Sequence, residues 1–182
     1  MPECIIKRDS PWYNRNLACL DASGDIMSIS DGAICQRTRD GKPVGKPFNS
    51  EAVIRMAVSP DGLMVVGKCR DGRVRLWNIK EGRLIGQPWE GNDVQVMCLD
   101  WSPNGAEVAG GLEDGTIQRW NTTTGRQIGS PIKKSYGLGW IWSIKYSPQG
   151  DKFASGGDED IFRVWSKDGE LLVEINGHDN GV

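Results

Sequence analysis

Clustered carboxylates are the first residues of this chain that could do chemistry, and the chemistry would be cation binding. The run Asp158-Glu159-Asp160 is dense enough for a weak cation site, but it lacks the ligand spacing of a calcium-binding loop. Asp71 and Asp114 each precede a glycine. Such pairs favour tight turns, because Asp bonds the backbone ahead of it and Gly supplies a positive φ. We therefore interpret these carboxylates as turn residues and expect no metal site.

Catalytic groups are sparse. His178 is the only histidine, and the chain contains neither a Gly-x-Ser-x-Gly nucleophile elbow nor a phosphate-binding loop that ends in Gly-Lys-Ser/Thr. The glycine pairs at 110–111 and 156–157 are not followed by a helical pattern, so no helix N-terminus is expected to cradle a phosphate. We predict that the chain is not an enzyme, with no catalytic residue and no cofactor.

Composition narrows the class of partner. The chain of 182 residues has 22 basic and 24 acidic residues, a net charge of −2, and no basic run. A nucleic-acid surface needs clustered Lys and Arg, so no nucleic-acid partner is expected. No apolar run is long enough to cross a membrane. The five cysteines are an odd number at irregular spacing, which is typical of reduced thiols and predicts a cytoplasmic protein.

The elements that must position these residues come from an internal repeat. A Ser-Pro-x-Gly turn occurs at 59–62, 102–105 and 147–150, and each turn is followed by a strand-like segment that ends in tryptophan. These tryptophans, Trp77 and then Trp120 and Trp165, are 43 and 45 residues apart. A period of about 40–45 residues built from short strands is typical of β-propeller blades. The predicted fold is all-β: a partial or four-bladed propeller of four-stranded antiparallel blades.

The repeat also sets the predicted chain organisation. An N-terminal extension is placed at 1–15 and the propeller region at 16–182. The blades fall at about 16–48, 52–89, 94–132 and 140–176, and a fifth begins at 177–182. The first blade is eroded, since Arg37 stands where the other three have tryptophan. Terminal repeats are often atypical because only one side is covered, although a decaying repeat would look the same.

The three good copies resemble the blades of WD-repeat β-propellers, in which the Trp-ended strand is the third of each blade. The resemblance covers roughly residues 16–182. The segments 125–131 and 140–148 are similar to repeats in large fungal arrays, which often follow an NTP-binding switch domain. The resemblance implies a non-catalytic scaffold for protein–protein interaction. The alternative is a ligand- or glycan-sensing fragment of a larger WD-repeat sensor protein.

The chain departs from the family pattern at two places. Its tryptophans are followed by Asn78, Asn121 and Ser166 in place of aspartate, and the Gly-His pair that opens many family blades occurs only at 177–178. In the family, this histidine joins a Trp–Ser/Thr–His–Asp hydrogen-bond relay. We expect the tryptophans to keep their packing and the relay to be missing from the second to fourth blades.

Four blades are few for a closed ring, since propellers usually have about 4–8. The molecule could close as a strained ring, pair with a second copy, or remain an open arc. Bare blade faces expose apolar surface and strand edges, which promote association. We favour the pair or the open arc over a closed monomer, with self-association through the open faces.

A partner would be recognised by loops that vary between blades. In a propeller, the loops between an outer strand and the next inner strand share an edge with the loops between strands two and three. We name this edge the loop face. Trp77, Trp120 and Trp165 are instead expected in the core, and an inward-packed Trp142 is a second interpretation. The predicted partner-binding residues are Trp89, Asn92, Asp93, Arg70, Arg73, Glu113, Tyr136, Trp140, Trp142 and Asp158.

Overall fold

The computed structural model describes residues 19–20, 22–48, 52–89, 94–133, 139–158 and 160–177. Throughout these ranges the regular structure is β-strand, arranged in four antiparallel sheets that follow one another along the chain. The predicted all-β fold class is confirmed. The N-terminal extension placed at 1–15 lies outside the described residues.

Each sheet is a meander in which neighbouring strands in sequence are neighbours in space. The first sheet contains β1 (Cys19–Leu20), β2 (Ile26–Ser30), β3 (Ala33–Arg37) and β4 (Pro43–Val44). The second contains β5 (Val53–Val58), β6 (Met64–Cys69), β7 (Val74–Asn78) and β8 (Arg83–Ile85). The third contains β9 (Val96–Trp101), β10 (Glu107–Leu112) and β11 (Ile117–Asn121). The fourth contains β12 (Ile141–Tyr146), β13 (Lys152–Gly157), β14 (Ile161–Ser166) and β15 (Leu171–Asn176).

The outer strands are shorter than the sequence predicts. We expect strands through the Val/Ile-Gly-x-Pro segments, but β4 and β8 both end just before the glycine. Gly45, Gly86 and Gly129 have φ values of 67°, 64° and 64°, in the left-handed region that breaks an extended strand. In the third sheet the expected outer strand at 127–131 is reduced to single bridges on either side of this glycine, at Gln127 and Ile132. That sheet therefore has three strands, and the expectation of four is wrong there.

The core lies between consecutive sheets. Trp77 packs with Met27 and Ile34 between the first and second sheets. Trp120 packs with residues of β6 and β7 between the second and third sheets, and Trp165 packs with Ile117 between the third and fourth. The expectation that the three tryptophans are core residues is therefore confirmed. Each is at most 5% exposed.

The sheets form an open arc. The three apolar clusters of the described residues join the first sheet to the second, the second to the third, and the third to the fourth. None of these clusters joins the fourth sheet to the first. On the far side of the fourth sheet Phe162, Val173 and Ile175 remain 52%, 45% and 53% exposed. The arc therefore ends in an uncovered apolar sheet.

Candidate functional site

The loop face is held together by one backbone bond that recurs in each sheet. The residue that follows or ends the second strand donates its N–H to the carbonyl of a residue just before the inner strand. Arg70 donates to Ala52 at 2.9 Å, Glu113 to Gln95 at 2.9 Å, and Asp158 to Trp140 at 3.1 Å. Both kinds of loop consequently lie on one edge of each sheet. Arg70, Glu113 and Asp158 occupy equivalent positions but differ in charge.

Two exposed tryptophans and one carboxylate form a cluster on this edge in the fourth sheet. The rings of Trp140 and Trp142 lie with their centroids 5.0 Å apart and are tilted by 51°. They are 41% and 43% exposed. One carboxylate oxygen of Asp158 accepts the Trp140 backbone N–H at 3.1 Å, and the other accepts the Trp142 indole N–H. Asp158 therefore fixes both tryptophans in an exposed orientation.

A β-bulge turns Trp142 outward. The pairing of β12 with β13 shifts between Ile141 and Ser143, so Trp142 is the extra residue of the bulge. The inner strands β5 and β9 carry bulges at the equivalent positions, Ile54 and Met97. A bulge redirects the side chain of its extra residue. The interpretation in which Trp142 packs inward is therefore not what the structure shows.

A polar network anchors the strand that carries this cluster. Asp100, which is 7% exposed, accepts the Tyr146 backbone N–H at 2.8 Å and the Lys145 ammonium at 2.5 Å. The Tyr146 hydroxyl donates to Glu107 at 2.9 Å. Burial, the first cause, and the nearby Glu107 raise the pKa of Tyr146, so the phenol stays protonated and remains a donor. These bonds fix β12 against the third sheet.

The second sheet contributes basic groups to the loop face. Arg70 and Arg73 are exposed in the turn after β6. Between them, Asp71 accepts two guanidinium hydrogen bonds from Arg75, at 2.9 and 2.7 Å. The hydrogen bonds from Arg75 hold the pKa of Asp71 below its ordinary value. Asp71 is thus committed to its own turn, which leaves Arg70 and Arg73 as the basic groups directed to solvent.

Two reactive groups below the loop face are unsuited to catalysis as they stand. Lys68 is 4% exposed and donates to the Gln95 side chain at 3.1 Å. Burial lowers its pKa, with a smaller contribution from Arg55. Cys98 donates toward the Ile141 carbonyl at 3.4 Å, and burial raises the pKa of its thiol to about 12. A protonated thiol is a poor nucleophile.

Trp89 is misplaced by the sequence analysis. It is 8% exposed, and its ring lies 6.2 Å from that of Trp120. Its backbone N–H donates to the Val74 carbonyl at 2.8 Å, as Phe48 donates to Ile34 and Ile132 to Ile117 in their own sheets. These three apolar side chains anchor the loop after the outer segment against the next sheet. The sequence carries the signal, since an apolar residue follows the proline of each Val/Ile-Gly-x-Pro segment.

Three predicted binding residues, Asn92, Asp93 and Tyr136, lie outside the described residues, as does His178. Over the ranges that are described, no group of three His, Cys, Asp or Glu side chains is arranged to hold a metal ion. In those same ranges there is no helix of the length and apolarity needed to span a membrane.

The tryptophan relay is partly present. In the fourth sheet the Trp165 indole N–H donates to Ser155 Oγ at 2.9 Å, so the first bond of the relay is made there. In the second sheet the equivalent of Ser155 is Gly67, and the buried Trp77 indole nitrogen has no hydrogen-bond partner. The residues that match the family histidine, at 51, 92 and 135, lie outside the described residues. The expectation of no relay is therefore wrong for the Trp–Ser bond of the fourth sheet.

Comparison with known proteins identifies the repeat. The family model described as WD domain, G-beta repeat matches residues 41–78, 83–121 and 129–166. Together these segments cover more than half of the chain. Each begins near the outer segment of one sheet and ends one residue after the buried tryptophan of the next, so the matched unit spans two sheets. The search of curated proteins gave no match. The chain therefore belongs to the WD-repeat family, whose repeats generally act as scaffolds for protein–protein interaction.

Proposed function

We propose that this chain is a non-catalytic scaffold that binds a protein partner through the loop face. The observation that carries the proposal is the exposed pair of Trp140 and Trp142, which Asp158 holds in place. Tryptophan is enriched among residues that dominate binding energy at interfaces. Because the pair is already ordered, binding costs less side-chain entropy than it would for mobile side chains.

The chemistry around the pair suggests how the scaffold distinguishes partners. Arg70 and Arg73 project from the second sheet, the half-buried Glu113 from the third, and Asp158 from the fourth. A partner that spans these turns meets positive charge at one end and aromatic and negative groups at the other. Charge complementarity of this kind selects partners and sets their orientation. Asn92, Asp93 and Tyr136 belong to the proposed face from the sequence.

The opposite edge offers less discrimination. Its three Ser-Pro-x-Gly turns are each closed by a glycine N–H that donates to the serine carbonyl at 2.9 Å. A geometry repeated identically around an arc presents the same surface several times. Loops that vary on a rigid scaffold are where recognition usually occurs. This edge therefore supplies the control for the experiment.

A quantitative pull-down tests the proposal. Tagged wild-type protein, Trp140→Ala, Trp142→Ala and Pro148→Ala are compared for the proteins that they retain from a cell extract. Pro148 is exposed and lies on the opposite edge. Partners retained by wild type and Pro148→Ala but lost from both tryptophan variants support the loop face. Loss only in Pro148→Ala, with an unchanged circular dichroism spectrum, would contradict it.

A ligand- or glycan-sensing function is the second candidate, because paired exposed indoles are also a stacking surface for sugars. It is weakened by the burial of Trp89, which the sequence analysis placed beside Trp140. Titration with a panel of sugars distinguishes the two candidates. Saturable quenching of tryptophan fluorescence that disappears in Trp140→Ala supports sensing, and unchanged fluorescence favours the protein scaffold.

The cellular location is part of the same proposal. Cys35, Cys69 and Cys98, the cysteines with described side chains, are free thiols. Free thiols persist in a reducing compartment, which supports the cytoplasmic location expected from the sequence. The proposal includes neither a cofactor nor a nucleic-acid or membrane partner.

A further inference from the structure

The end of the arc carries an apolar face that is buried in every sheet before it. The position three residues before the repeat tryptophan is Val74 in β7, Ile117 in β11 and Phe162 in β14. Val74 and Ile117 are 2% and 1% exposed, whereas Phe162 is 52% exposed. The equivalent sheet faces of the second and third sheets are covered by the next sheet. The fourth sheet has the same kind of face without a cover.

The strand pairing shows which residues form this face. Opposed residues of an antiparallel pair point to the same side of the sheet. Phe162 pairs with Ile175, Val164 pairs with both Val173 and Ala154, and all five therefore share one side. Trp165 is on the other side, where it packs against the third sheet. We name the five residues the terminal face.

We propose that the terminal face binds the terminal face of a second copy of this chain, to form a symmetric dimer. The five residues are all uncharged and apolar, so two such faces are complementary to each other. Antiparallel sheets pack in this way, face to face and about 10 Å apart. Twofold pairing through one self-complementary patch is the commonest form of soluble oligomer. The proposal concerns a surface distinct from the loop face and does not depend on it.

The size of the face fits a dimer. The four strands each contain six residues, which makes a sheet of roughly 20 by 19 Å. Its accessible surface with side chains is on the order of 600 Å² per copy, so two copies would bury on the order of 1,200 Å². This area lies at the lower end of the range for specific interfaces. The expected dimer is therefore in equilibrium with monomer.

The other end of the arc is a poor partner for this face. The first sheet packs on the second through Met27 and Ile34, so its free side carries the alternate residues. Among these, Cys35 is half-buried, and Arg37 is exposed at the position of the repeat tryptophan. Covering Arg37 with the apolar terminal face would remove its charge from water without a counter-charge. A head-to-tail chain of copies is therefore disfavoured relative to the symmetric pair.

Light scattering coupled to size exclusion tests the proposal on the full chain. Wild-type protein is expected at twice the monomer mass, falling toward the monomer mass on dilution. Phe162→Lys should weaken dimerisation at least about tenfold, as expected for a central apolar contact. Leu63→Lys is the matched control, because Leu63 is 51% exposed but lies in a turn away from the terminal face. Circular dichroism establishes that both variants are folded.

The geometry of the pair is tested by oxidative cross-linking of Val164→Cys. A symmetric dimer places the two introduced thiols near the twofold axis, so peptide mapping should show a bond between the two copies of position 164. A bond from position 164 to the native Cys35 would instead show head-to-tail association and overturn the proposal. A wild-type monomer at the highest concentration, or a folded Phe162→Lys variant that dimerises like wild type, would also overturn it.

Discussion

Replacing Trp120 with alanine should be among the most destabilising single changes in this chain. The indole is fully buried between the second and third sheets and lies against the ring of Trp89. Truncating a buried tryptophan costs about 3–5 kcal/mol, which combines lost burial with the cavity that remains. Trp140 is 41% exposed, and its loss should cost about 1 kcal/mol or less. The same reasoning places Trp89→Ala close to Trp120→Ala.

Urea unfolding followed by far-ultraviolet circular dichroism measures the difference without relying on tryptophan fluorescence. With a denaturant slope of about 2 kcal/mol/M for a protein of this size, Trp120→Ala should lower the midpoint by roughly 2 M. Trp140→Ala should lower it by roughly 0.5 M or less on the same slope. Equal losses for the two variants would refute the assignment of Trp140 to the surface. The loop face would then lose its main residue.

Three further outcomes are expected. Trp165→Phe should destabilise the protein by about 1 kcal/mol more than Trp77→Phe in urea melts, because only Trp165 donates an indole hydrogen bond; equal losses would contradict this. Gly110→Ala should cost about 1–3 kcal/mol in the same assay, since the added Cβ would lie 2.9 Å from a buried indole ring; a neutral or stabilising effect would show that the interface can yield. Hydrogen bonds from Arg75 lower the folded-state pKa of Asp71 below its ordinary value of 3.8. The stability that Asp71 contributes is therefore present above that ordinary value and is lost as the pH falls through the lowered pKa, so Asp71→Asn should flatten the acid limb of a stability–pH curve, and an unchanged limb would contradict the assignment.

Local signals carried most of the fold. The Asp–Gly and Ser-Pro-x-Gly turns act through backbone geometry within four residues, so they mark strand ends wherever they occur. The second and third strands were consequently predicted to within one residue, as in β10 (Glu107–Leu112) and β14 (Ile161–Ser166). The outer strands were overextended, because a glycine inside an apolar segment does not reveal its own φ.

The candidate site was less accessible to prediction. Trp89 and Trp140 look alike in sequence, since each lies next to a loop that joins two repeats. One is buried and the other is exposed because the next sheet covers the first and not the second. The orientation of Trp142 depends on a bulge that no local residue pattern announces.

The sequence by itself determined the repeat, the all-β class and the burial of Trp77, Trp120 and Trp165. These follow from a period that only stacked sheets of short strands can satisfy. Tertiary structure alone decided which apolar residues remain at the surface. Val74 and Phe162 occupy the same position in the repeat, yet one is 2% and the other 52% exposed. Burial depends on whether a neighbouring sheet is present, and that neighbour is a property of the assembled arc rather than of the local sequence.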